Sequence, residues 1–78
     1  MSIPQAYMRE KTVTIQFDVW QWSNSLQEWE VISYQSKSEA ENHYKRLIED
    51  KKRAKLIKKT HREYRINIHD IEEEDISS

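Results

Sequence analysis

The chain has 78 residues, thirteen Lys and Arg against fourteen Asp and Glu, a formal net charge of −1, no cysteine and no glycine. That length allows one domain with a small core, burying about 60–65% of the unfolded surface, and the missing cysteines exclude disulfide staples, thiolate metal sites and cysteine nucleophiles. Phosphate-cradling loops and dinucleotide turns use glycine so that backbone can approach a phosphate, so a chain without it is not expected to bind nucleotides that way.

Residues 1–10 contain the only proline, Pro4, and show no clear period. They read as an arm preceding a single domain. The segment has no apolar run of signal-peptide length, and no stretch approaches the ~20 apolar residues of a membrane span. A small domain without staples fits a reducing compartment, so the expected location is the cytoplasm, with no membrane partner.

Residues 12–22 carry the clearest pattern. Val13, Ile15, Phe17 and Val19 alternate with Thr12, Thr14, Gln16, Asp18 and Trp20, the period of a half-buried strand rich in β-branched and aromatic residues. Ser23, Asn24 and Ser25 form the following turn, with Asn24 the expected left-handed residue. Residues 27–35 read as a second strand, antiparallel to the first through a short connection. The register expected pairs Val19 with Val31. It sets Phe17, Val19, Trp29 and Val31 on one face, and Trp20, Trp22, Glu28, Glu30, Ile32 and Tyr34 on the other.

Ser36, Lys37, Ser38 and Glu39 match the capping-box pattern, predicting a helix from Lys37. Ala40, Tyr44, Leu47 and Ile48 supply its apolar stripe, which fails at Leu56 and Ile57. The core-facing helix therefore spans residues 37–50, followed by either helical continuation to Lys59 or a loop. Residues 63–71 alternate again, Tyr64, Ile66 and Ile68 against Arg65, Asn67 and His69, and predict a third strand. Residues 72–78 form an acidic tail expected to be disordered. The fold class is then α+β: a two-layer ββαβ domain with a three-stranded sheet of order 2-1-3 and one helix on one face.

No catalytic or ligand motif stands out. His43, His61 and His69 lack metal-ligand spacing and read as solvated side chains. Asp18, Glu28 and Glu30 share a sheet face too open to raise a carboxyl pKa for acid catalysis, and the serines suit turns and caps. No enzyme activity, cofactor or small-molecule substrate is expected.

Two surfaces remain. Trp20, Trp22, Ile32 and Tyr34 on the sheet face away from the helix point to a protein-interaction surface, for another protein or for a second copy in a homodimer. Coverage by the arm through Ile3, Tyr7 and Met8, and stacking of single-stranded bases, are the other readings of that face; Asp18, Glu28 and Glu30 would repel phosphates there. The second surface is basic: Lys51, Lys52, Arg53, Lys55, Lys58, Lys59, Arg62 and Arg65, with Glu63 the one acid among them. It is the alternative, nucleic-acid-binding site, opposed by the nearby acids Glu72, Glu73, Glu74 and Asp75. The function expected from the sequence is a small non-enzymatic interaction domain.

Overall fold

A computed structural model describes residues 10–65 and 67–77. Its elements are β1 (Glu10–Ser23), β2 (Glu28–Tyr34), α1 (Lys37–Glu49), β3 (Ala54–Tyr64) and β4 (His69–Asp75). One antiparallel sheet holds the strands in the order β2-β1-β3-β4. The α+β class with a single helix on an antiparallel sheet matches expectation; four strands stand where three were expected, and the strand beside β1 is not the one expected there.

The alternation in β1 sorts its side chains as the pattern requires. Val19 is buried, and Phe17 packs against the same cluster, with Leu56 of β3 and Ala40 and Leu47 of α1. The Ser36 hydroxyl accepts from the Glu39 amide at 3.4 Å, with Ser36 in an extended conformation, so the cap lies where the sequence puts it. The helix stops without glycine or proline. Lys51 takes φ 58°, and the amides of Lys51 and Lys52 donate to the carbonyls of Ile48 and Leu47 at 3.0 and 2.9 Å. This is the Schellman closure, with lysine in the left-handed position that glycine usually fills.

Three expectations are corrected. First, β1 and β2 pair one residue away from the expected register: Val19 faces Ile32 and Trp20 faces Val31. The cause is the turn. Ser23 pairs with Glu28 across a four-residue loop, and the left-handed residue is Gln27, next to β2, not Asn24. A shift of one exchanges the two faces of a strand.

Second, residues 54–64 form neither helix nor loop but β3, the central partner of β1, with Leu56 opposite Val19 and Ile57 opposite Asp18. The expected strand over residues 63–71 straddles the end of β3, the turn at Asn67 (φ 59°) and the start of β4. Third, the acidic segment is ordered. Residues 69–75 pair with β3 residue by residue, setting Lys59 against Glu73, Lys58 against Glu74 and Arg62 against Asp70. Ile76 then donates its amide to the Leu56 carbonyl at 2.9 Å, and the Ser77 hydroxyl accepts from the Leu56 amide at 2.6 Å. The backbone ladder to β3, with complementary charge along the two strands, holds an edge strand so poor in apolar residues.

The arm expected over residues 1–10 lies outside the described residues up to Arg9, as does its coverage of the aromatic face; Glu10 already belongs to β1.

Candidate interaction face

Directly opposed residues of neighbouring strands share a face, so the register assigns each candidate side chain. The face away from α1 carries Trp20 and Trp22 of β1, Trp29, Val31 and Ser33 of β2, Lys55, Ile57 and Lys59 of β3, and Glu73 and Asp75 of β4. The helix side carries Ile32 and Tyr34 with Glu28 and Glu30. Two of the four aromatic-face candidates, Trp20 and Trp22, therefore lie on the open face, and two do not. Tyr34 belongs to the helix–sheet packing: its hydroxyl meets His43 Nδ1 at 3.0 Å and the two rings meet edge to face at 5.8 Å. Ile32 sits at the exposed margin of the helix side.

Trp29 takes their place, and a cluster results. Its ring meets Trp22 at 5.4 Å and Trp20 at 6.1 Å, both near-perpendicular, the geometry that the ring quadrupole prefers. Arg53 places its guanidinium carbon 5.6 Å from the Trp22 centroid and 5.3 Å from that of Trp29, and the Lys55 ammonium lies 4.8 Å from Trp29. Each such cation–π contact contributes about 0.5–1 kcal/mol where water is near. The Trp20 indole nitrogen is enclosed and has no hydrogen-bond partner among the described residues. Trp20 borders a depression of about 270 Å³ lined also by Lys55, Ile57, Glu73 and Asp75.

β3 divides the basic segment in two. Arg62 donates to Glu72 at 2.9 Å and lies 3.8 Å from Asp70, and Lys58 and Lys59 sit opposite Glu74 and Glu73. That half is matched by β4. At the other end Lys51, Lys52 and Arg53 border a polar depression of about 630 Å³ with Ser23, Asn24, Ser25 and Glu30, and make no ion pair among the described residues. Arg65 lies exposed in the β3–β4 turn, far along the sheet from that end.

The carboxyl of Asp75 is displaced. The Ser77 amide donates to its Oδ1 at 2.9 Å. That bond first, then the Ser77 side chain and the charge of Lys55, hold its pKa below the ordinary 3.8, against the small opposing effect of burial. Asp18 is 5% exposed and accepts from Gln16 Nε2 at 3.0 Å, but Glu28 and Glu30 are on the other side of the sheet. The expected carboxylate cluster is thus not assembled.

The histidines hold a pairing that spacing does not reveal. His61 Nε2 and His69 Nδ1 are 2.9 Å apart on neighbouring strands. The ring planes differ by 15° and the centroids are 5.1 Å apart, as for two rings joined edge to edge by one shared proton. Among the described residues no group of three or more His, Asp or Glu could hold a metal ion, and no helix is long and apolar enough to cross a membrane.

Sequence reasoning missed Trp29, and missed that Arg53 and Lys55 join the tryptophans. The signal for the second was present: residues 53, 55, 57 and 59 share a face if this stretch is a strand. Comparison of the chain with protein-family models, with curated proteins and with solved structures finds no match.

Proposed function

We propose that this protein is a non-enzymatic interaction domain whose contact surface is the open face around Trp20, Trp22 and Trp29, with Arg53 and Lys55, and whose partner is a protein segment bearing both apolar and acidic side chains. One observation carries the reading: three tryptophans and two cations converge on the sheet face that the helix leaves uncovered, with Val31 exposed beside them. Trp and Arg are enriched among the residues that dominate the energetics of protein contacts; Trp buries large area at small entropic cost, and Arg adds charge and a stacking plane. The cations already lie over Trp22 and Trp29, which leaves less ring face for stacking a base and favours a protein partner.

Nucleic-acid contact is the second reading, favoured by Lys51, Lys52 and Arg53 around the polar depression and by the removal of Glu28 and Glu30 from the tryptophan face. One set of measurements separates the two. A random peptide library selected on the wild type is expected to yield acidic, aromatic-rich sequences that fail to bind an Arg53→Glu/Lys55→Glu variant, both sites being exposed and the variant's fold being checked by circular dichroism. Selection of the same peptides by both proteins, or none by either, removes the proposal. Quenching of tryptophan fluorescence by oligo-dT, relieved by salt and by Lys51→Gln/Lys52→Gln, would favour nucleic acid instead.

A further inference from the structure

β1 is twice as long as β2, and the mismatch leaves an edge. β2 pairs with residues 17–23 of β1, ending at Tyr34 opposite Phe17. Residues 12–16 have β3 on one side and, among the described residues, no strand on the other. Peptide groups alternate in direction along a strand. The Trp22 amide donates towards β3, to the Arg53 carbonyl at 2.9 Å, so the even-numbered residues from Thr12 onwards turn their peptide groups to β3. Val13 and Ile15 turn theirs, two N–H and two C=O, to the open edge. Their side chains, 45% and 43% exposed, lie on the helix side beyond the reach of α1.

The sheet's other edges are guarded. β2 carries Glu28 and Glu30, and β4 carries Glu72, Glu73, Glu74 and Asp75. A second copy pairing there would oppose like charges, the common protection of edge strands. Residues 12–16, Thr-Val-Thr-Ile-Gln, carry no charge.

We infer that this stretch joins two copies of the chain, antiparallel, about a two-fold axis through Thr14. Thr14 then faces Thr14 of the second copy, Val13 faces Ile15, and Thr12 faces Gln16, so apolar meets apolar and polar meets polar. The peptide groups of Val13 and Ile15 form four hydrogen bonds across the axis, and the two Val13 and two Ile15 side chains form one apolar cluster on the helix side. Lys11 is left unpaired by the irregularity between Glu10 and Thr12, and a bulge bends and twists its strand, here at the point where each β1 reaches the end of the other copy's β2. The contact is isologous and closes at two copies. It is short, so the dimer is reversible. It does not use the tryptophan face.

Sedimentation equilibrium between about 10 µM and 1 mM, the range in which so small an interface associates, tests it. The wild-type mass should rise towards twice that of the monomer. Thr14→Glu and Thr14→Lys alter an exposed side chain, and each sets like charges against each other on the axis, so each alone should weaken association at least about tenfold. An equimolar mixture should restore a dimer of one copy of each, an outcome that misfolding could not produce. The Arg53→Glu/Lys55→Glu variant should dimerise like the wild type. A monomer at every concentration overturns the inference, as do Thr14 variants that each dimerise as the wild type does.

Discussion

Among the described residues three, Gln27, Lys51 and Asn67, hold positive φ of 54°, 58° and 59°, in a chain with no glycine. Asn67 suits the position, because its short amide tolerates the left-handed region. Gln27 and Lys51 have no such excuse; their Cβ crowds the carbonyl oxygen, at a cost of roughly 1–2 kcal/mol each. At Lys51 the cost is accepted because the Schellman closure satisfies the carbonyls of Leu47 and Ile48 and turns the chain straight into β3. Replacing Lys51 by glycine relieves the strain but raises the entropy of the unfolded chain, which takes back about 0.4–1 kcal/mol. The expected net is a stabilisation of about 0.5–1 kcal/mol in urea unfolding; a destabilised variant would mean that the lysine side chain contributes more than its backbone strain removes. At the other end of α1, Ser36→Ala should cost about 0.5–2 kcal/mol, since the Glu39 amide loses its acceptor.

The elements differ in how openly the sequence announces them. β1 and α1 were legible because each carries its own period: Val13, Ile15, Phe17 and Val19 at every second residue, Ala40, Tyr44, Leu47 and Ile48 at helical spacing. β3 was not, because lysines occupy strand positions where β-branched residues are usual. Lys58 and Lys59 are half-buried, lining the sheet with their methylene stems while their charges reach the surface. Residues 54–64 are a strand because they pair with β1 on one side and, on the other, with an acidic run whose residues oppose their basic partners eight to sixteen positions later, pairings invisible to any local window. The face of β2 failed for a smaller reason: one extra loop residue, held by Gln27, exchanged Trp29 with Ile32 and Tyr34 and hid half of the candidate site. The end of β4 gives this pairing a pH signature. The folded pKa of Asp75 lies below 3.8 because the Ser77 amide and hydroxyl and Lys55 favour the carboxylate. The lowered value means that the contribution to stability is complete above the unfolded carboxyl pKa and disappears as pH falls through the folded one. Asp75→Asn should therefore be less stable than wild type at neutral pH, and the two should converge in acid below pH 3.8. An undiminished difference in strong acid would assign the effect to something other than this carboxylate.

At the scale of the molecule, a helix of thirteen residues rests on a central strand of fourteen. At about 1.5 Å per helical residue and 3.3 Å per strand residue, α1 spans less than half of β1. Among the described residues the buried apolar ones, Val19, Ala40, Leu47 and Leu56, all lie under or on that helix. The far half of the sheet, with Val13 and Ile15 on one side and Ile71, 57% exposed, on the other, is held by backbone ladders and cross-strand charge. Stability should be correspondingly uneven. A chain of this length has about 4–12 kcal/mol in total. Leu47→Ala removes one of four core side chains and should cost about 2–5 kcal/mol, enough to unfold a large share of the molecules at 37 °C. Ile71→Ala removes an exposed side chain and should cost within about 0.5 kcal/mol of nothing. Amide exchange should follow the same division, slowest at Val19 and Leu56 and fast by local opening in β4. Equilibrium unfolding of the two variants at low micromolar concentration, where self-association is negligible, decides the matter. Equal losses from Leu47→Ala and Ile71→Ala would mean that the far half of the sheet is packed as firmly as the helix-covered half.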